Sequence, residues 1–273
     1  MVSATASGRV LIVAGSDSGG GAGIQADIKT VTALGGYAAS AISALTAQNT
    51  RGVFAIHDVP ADFVALQMRV VLDDIGADCI KIGMLHRPDV IAAVCDVLRT
   101  SARGVPVVVD PVMIAKGGDP LLTSDGAAAI KAELIPLAGV LTPNLPEAVA
   151  LSGGGGEEDP ADLARRLLAL GPGAVLVKGG HGEGARLVDL LACRDGTLVR
   201  FESDRIDTPH THGTGCTLAS AIATGLAQRL EVVAAVERAR AYVLEAIRTA
   251  PGFGHGHGPL NHGHTVRAFP GAA

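Results

Sequence analysis

Aromatic residues are nearly missing from this sequence: five Phe, two Tyr and no Trp stand among 273 residues, 3% of the chain. With 48% of residues hydrophobic, the core must be built from Ala, Val, Leu and Ile, which suits a parallel sheet covered on both faces. A basic excess is also lacking. The net charge is −5 and the pI is near 6.0, so there is no electrostatic footprint for nucleic acid, and a small-molecule or protein partner is expected instead. The four cysteines, Cys79, Cys95, Cys193 and Cys216, show no CxxC spacing in a chain long enough to need no staples. They read as reduced thiols of a cytoplasmic protein. Met1 to Arg9 lacks a cationic leader region and the apolar run from Val10 to Ala14 has only strand length, so no signal peptide is expected. The uncharged stretch between Lys29 and Arg51 is interrupted by Gly35, Gly36, Gln48 and Asn49, which predicts a buried helix-to-strand unit and no membrane partner. Walker A spacing is absent as well. Gly21-Ala22-Gly23-Ile24-Gln25-Ala26 fits a GxGxxA dinucleotide loop, but no Asp or Glu lies between Ile28 and His57, which argues against a nicotinamide oxidoreductase.

What is present is a rhythm. Short apolar strands (Val10 to Ala14, Tyr37 to Leu45, Val53 to Val59, Cys79 to Gly83, Pro106 to Asp110, Gly139 to Thr142, Ala174 to Lys178) alternate with helices. The helices are expected from Ile24, Pro60, Pro88, Thr123, Pro146 and Pro160, and after Gly213 and Glu231. A hairpin is predicted from Leu187 to Cys193 and Leu198 to Phe201 around Asp195-Gly196. The fold class is therefore α/β, three layers α/β/α, with a mostly parallel sheet and antiparallel strands at one edge. No repeat or linker appears, so 1–273 is expected to be one domain. The run from Gly153 to Gly156 with Glu157, Glu158 and Asp159 reads as a solvated loop.

Chemistry gathers around Thr211-His212-Gly213-Thr214-Gly215-Cys216-Thr217, where two glycines flank a helix start. Free backbone N–H groups and the helix dipole favour an anion there, and the same field is expected to lower the Cys216 thiol towards thiolate. Phosphoryl transfer follows; a Gly-rich helix start with a buried Cys is the plainer alternative. In doubly wound sheets ligands bind beyond the carboxyl ends of the strands, which singles out Asp17, Gln48, Asn49, Met84, Asp110, Asn144 and Lys178. Asn144 and Glu147, three apart at a helix start, offer oxygen ligands for Mg²⁺ or form a capping box. Asp27 on the first turn of its helix either complements the dipole or accepts a hydrogen bond from a ligand.

Seven ordered blocks make the pattern specific: Ala14-Gly15-Ser16-Asp17 with Gly20 to Asp27, Thr46 to Thr50, Lys81 to Leu85, Asp110 to Met113, Thr142 to Glu147, Lys178 to His181 and His210 to Thr217. Through them nearly the whole chain resembles the hydroxymethylpyrimidine/phosphomethylpyrimidine kinases of the ribokinase superfamily. The resemblance implies a kinase using ATP and Mg²⁺, with room for a monovalent cation, and a homodimer. It would phosphorylate 4-amino-5-hydroxymethyl-2-methylpyrimidine and then its monophosphate, on the route to thiamine. It also implies Gly15, Asp27, Gln48 and Met84 on the pyrimidine side, and Asp110 and Glu147 serving Mg²⁺ directly or through water. Asn144, Glu147, Lys178, Thr211, Gly213 and Gly215 would face the nucleotide, Gly213, Thr214 and Gly215 would form the anion hole with Lys178, and Cys216 would stand at the catalytic-base position. Cysteine there also occurs in relatives that phosphorylate pyridoxal, which leaves a pyridoxal kinase as the alternative enzyme. A non-catalytic ligand-binding protein of the same fold is the alternative outside enzymes. The first loop, Ser16 to Gly20, lacks the Pro of many relatives and reads as a tolerated variant. His255, His257, His262 and His264 form a tract that could bind metal.

Overall fold

The computed structural model describes residues 7–114, 118, 121–155, 158–180 and 184–267. The chain runs β1 (Arg9–Asp17), α1 (Gly23–Ala33), β2 (Tyr37–Asn49), β3 (Gly52–Asp58), α2 (Ala61–Asp74), β4 (Cys79–Ile82), α3 (Pro88–Thr100), β5 (Val107–Val109), α4 (Ser124–Ala129) and β6 (Val140–Leu141). It continues through α5 (Leu145–Ser152), α6 (Pro160–Leu168), β7 (Ala174–Val177), β8 (Arg186–Cys193), β9 (Leu198–Asp204), α7 (Thr214–Ala227) and α8 (Val232–Arg248).

The described strands lie in the order β3-β2-β1-β4-β5-β6-β7-β8-β9. From β2 to β7 neighbours are parallel. Alternation along β1 sends Leu11 and Val13 to the face covered by α2 to α6, and Val10, Ile12 and Ala14 to the face covered by α1, α7 and α8. Both faces are dry, which is why the strands read as continuous apolar runs. Small side chains set the helix layer: at Gly225 of α7 even a methyl group would stand 2.8 Å from Ala235 Cβ on α8. A core with so little aromatic volume closes by bringing backbones together.

Three expectations need correction. Antiparallel pairing occurs at both edges, since β3 folds back on β2 as well as β8 on β7 and β9 on β8. The strand from Tyr37 extends to Asn49 and is only partly buried. Both α1 and α2 pack against it, but Tyr37, Leu45 and Ala47 stay exposed. The helix expected from Thr123 to Leu134 ends at Ala129 and passes into a π turn over Ile130–Leu134 and a 3-10 turn over Ile135–Leu137, where Pro136 cannot continue an α ladder. Of the acidic loop, Gly156 and Glu157 lie outside the described residues; helix α5 stops at Gly153, whose φ of 76° supplies the left-handed cap. Among the described residues no helix is long and apolar enough to cross a membrane.

Candidate active site

The parallel topology delivers Asp17, Met84, Asp110, Asn144 and Lys178 to one rim, each at or just past the end of its strand. The N-terminus of α7 points into the same rim. Its cap is Gly213, at φ 84°, and a Cβ there would sit 1.8 Å from the Gly21 carbonyl oxygen. Gly213 is therefore required by packing against the first glycine loop before any ligand is considered. Gly215 is different: an added Cβ would meet Asp110 Oδ2 at 3.2 Å and Lys178 Nζ at 3.4 Å. The missing side chain of Gly215 faces the charged corner. Thr214 closes the loop by donating its hydroxyl to the Thr211 carbonyl at 2.7 Å.

In that corner Lys178 Nζ donates to Asp110 Oδ1 at 2.9 Å. Burial would lower the lysine, but Asp110 and Glu147 outweigh it and hold the ammonium charged. Asn144 and Glu147 form the reciprocal capping box: Glu147 N–H donates to Asn144 Oδ1 at 2.9 Å and Asn144 N–H to Glu147 Oε2 at 2.8 Å. Capping uses one carboxylate oxygen and does not neutralise the group. Burial pushes the Glu147 carboxyl up to about 7, with Lys178 opposing and Asp110 adding to the rise. Two crowded carboxylates against one ammonium make a donor set of hard oxygens with negative charge to spare, which fits Mg²⁺ held directly or through water.

Beside this corner is a small apolar cluster. Gly15 lies against Met84, whose sulfur would stand 3.1 Å from an added Cβ, and Met84 packs with Ala44, Leu121, Val53, Ile56 and Val112. Gln48 borders it, its Oε1 accepting from the Thr46 hydroxyl at 3.1 Å and its Nε2 lying 3.3 Å from His212 Nε2. His212 Nε2 also pairs with Asp17 Oδ2 at 2.8 Å. Asp17 accepts in addition from the N–H groups of Gly19, Gly21 and Ala22. Burial alone would raise this carboxyl; His212 and the backbone donors outweigh it and hold it below the usual range. Asp17 and His212 thus tie the first glycine loop to the loop that leads into α7.

Asp27 does not reach the surface. It is fully buried, with Lys81 Nζ on both oxygens at 2.9 and 2.8 Å and the Ser220 hydroxyl on Oδ1 at 2.7 Å. The expectation for Cys216 is also corrected. Its half-buried thiol is pushed up to about 11, because burial outweighs the Lys81 charge and the Gly23 N–H, while Asp27 and Asp110 add to the rise. The helix N-terminus does not make a resting thiolate here.

The histidine tract serves the fold. His262 Nε2 lies 2.9 Å from Thr217 Oγ1 and its carbonyl accepts from the Tyr242 hydroxyl at 2.6 Å; burial pushes its ring down to about 4. The His264 ring lies tilted against the Tyr242 ring with centroids 4.6 Å apart, and the His257 N–H donates to the Thr50 carbonyl. No group of His, Cys, Asp and Glu among the described residues is placed to hold a metal on its own.

Sequence reasoning passed over His212, Lys81 and Ser220. A signal existed for Lys81, the one charge in the run Cys79-Ile80-Lys81-Ile82, since a charge in a central strand demands a buried partner. His181 lies outside the described residues.

The family model described as phosphomethylpyrimidine kinase matches residues 17–261. A hydroxymethylpyrimidine/phosphomethylpyrimidine kinase of Rhizobium meliloti is 51% identical, over 93% of this chain and 96% of its own. The thiamine biosynthesis bifunctional protein of Geobacter sulfurreducens is 53% identical over 93% of this chain, which spans about half (52%) of that longer relative. Among solved structures, phosphomethylpyrimidine kinase from Clostridium difficile is 40% identical with a TM-score of 0.77, covering 88% of this chain and 99% of its own. The ADP complex of Bacillus subtilis pyridoxal kinase is 34% identical with a TM-score of 0.85, covering 94% and 97%.

Proposed function

The chain belongs to the phosphomethylpyrimidine kinase family, and from that premise we propose that it transfers the γ-phosphoryl group of ATP to 4-amino-5-hydroxymethyl-2-methylpyrimidine and then to the resulting monophosphate. The observation that carries this reading is the meeting of Gly215, Asp110 and Lys178 at the N-terminus of α7, next to the apolar cluster of Gly15 and Met84 and the Gln48 amide. One region suits phosphates and the other an uncharged ring.

Phosphoryl transfer is mostly positioning and charge stabilisation. The N–H groups of the Gly213 to Gly215 loop and the α7 dipole lie where negative charge develops. Lys178 is only part-buried, so it can exchange Asp110 for a phosphate oxygen. Asp110 and Glu147 would hold Mg²⁺, which when bound offsets charge on the nucleotide phosphates. Gln48 would recognise polar edges of the ring and Met84 its face. Cys216 rests as a thiol, so it accepts the alcohol proton only from its small ionised fraction. The second step needs no such acceptor, because a phosphate monoester with its second pKa near 6 is largely deprotonated at neutral pH.

The same reading takes 1–273 as one kinase domain in the cytoplasm. It takes the working form as a homodimer, with the exposed Phe54, Phe63, Leu66 and Val70 on β3 and α2 covered by a second copy. A pyridoxal kinase is the second reading, supported by the TM-score of 0.85. Backbone similarity follows the shared fold, whereas pocket side chains choose the ring, and identity is higher to the pyrimidine kinases. Coupled ATP consumption with the pyrimidine alcohol, its monophosphate and pyridoxal separates the readings. Turnover of both pyrimidines, with kcat/KM above that for pyridoxal, is expected. Preference for pyridoxal, or consumption with none, overturns the proposal.

A further inference from the structure

A lysine inside a central strand is costly unless its charge is held. Lys81 lies in β4, between β1 and β5, and by the alternation of that strand points to the face covered by α1 and α7. Its side chain and that of Asp27 are both 0% exposed. Burial would lower the ammonium, but Asp27 outweighs it and keeps Lys81 charged.

The helices place this pair in step with the reacting end of the site. Gly23 and Asp27 stand one turn apart on α1; Cys216 and Ser220 stand one turn apart on α7. The Ser220 hydroxyl donates to Asp27 across the two helices at 2.7 Å, and Gly23 at the start of α1 acts on the Cys216 thiol one turn above. The Ser220–Asp27 bond therefore joins the helices one turn beneath Cys216, and the buried charges sit at that level. Four charged groups act on Cys216: Lys81 from β4, Asp27 from α1, Asp110 from the end of β5 and Lys178 from the end of β7.

We propose that Lys81 is a positioning residue for phosphoryl transfer, a fixed positive charge one helical turn beneath Cys216, with Asp27 as its counter-charge and not a ligand for the substrate ring. Lys178 and Asp110 are part of the open rim and change partners when phosphate arrives. Lys81 is sealed from solvent and substrate, so its field is the same throughout the cycle. Such a preorganised charge costs no rearrangement at the moment of reaction. The proposal rests on the reading of Cys216 as the reacting end, and its test is independent of turnover.

The probe is iodoacetamide at one fixed pH, with the alkylation rate of Cys216 followed by mass spectrometry on the full chain. Alkylation requires thiolate, so the rate reports the local charge. Lys81→Met is expected to slow it about tenfold and Asp27→Asn to raise it about threefold, the scale of one partly compensated charge at short range. A pair that only supports the fold would shift both variants the same way, since each loses the same contact. The doubly neutral Asp27→Asn/Lys81→Met protein leaves no unpaired buried charge, and its slower alkylation gives the same answer where Lys81→Met alone fails to fold. Equal rates, or shifts of one sign in both single variants, overturn the assignment. Opposite shifts in a protein that does not phosphorylate the pyrimidine alcohol would uphold Lys81 and refute the kinase reading instead.

Discussion

Two lysine–aspartate pairs, each with its lysine in or just past a strand of the same sheet, lie within reach of the same cysteine and differ in their contact with water. Lys81 and Asp27 are both 0% exposed, whereas Lys178 is 14% and Asp110 3% exposed. The distances are alike, 2.8 and 2.9 Å. What separates them is depth: Lys81 stands inside β4 under the first turns of α1 and α7, while Lys178 follows the last residue of β7. The open pair can trade one partner for a phosphate. The closed pair can only exert a field. The same two residue types therefore serve as a ligand-exchanging contact in one place and as fixed charge in the other.

That contrast breaks if the lysines behave alike on substitution. Lys178→Met is expected to lower kcat by about 10²–10³-fold, the loss typical of one preorganised donor to developing charge. Its unfolding midpoint in urea with Mg²⁺ present should move less than that of Lys81→Met. Lys81→Met strands a carboxylate in the core, a change that costs about 3–5 kcal/mol. Equal destabilisation by the two substitutions, or full activity in Lys178→Met, would erase the distinction.

A smaller effect sharpens the account of the open corner. Burial raises the Glu147 carboxyl to about 7, above its unfolded value, so the folded state binds this proton more tightly. Its contribution to stability is complete below the unfolded value of about 4.3 and is lost as pH rises through about 7. Glu147→Gln should remove that share of the decline, measured as urea midpoints at pH 5 and 8 without Mg²⁺. The same variant should need ~10-fold more Mg²⁺ for half-maximal rate. An unchanged Mg²⁺ titration would reduce Glu147 to its capping role.

The rim was legible in the sequence because parallel strands leave a polar residue at each carboxyl end, and Asp110, Asn144 and Lys178 each follow an apolar run. The role of Asp27 was not legible: its position on a first helical turn says nothing of whether it faces a ligand or a lysine 54 residues away. Local sequence also favoured a thiolate at Cys216, since the dipole is a local feature and burial is not. The second antiparallel edge was hidden for a similar reason, because the Ala-rich β2 carries no mark of which residues a helix will cover.

The most direct test of the account is the ratio of two single-turnover rates, alcohol step to monophosphate step, across about pH 6.5–9, above the phosphate pKa near 6, in the wild type and in Cys216→Ala. Both steps share Lys178, Glu147 and the anion loop, so their effects cancel in the ratio. With the Cys216 thiol at about 11, the ionised fraction grows tenfold per pH unit. The ratio should therefore climb with pH in the wild type, and it should fall by about 10²-fold and lose its slope in Cys216→Ala, at the low end for a general base. A ratio that is flat with pH, or the same in both proteins, would contradict the assignment of Cys216 as proton acceptor in the first step alone.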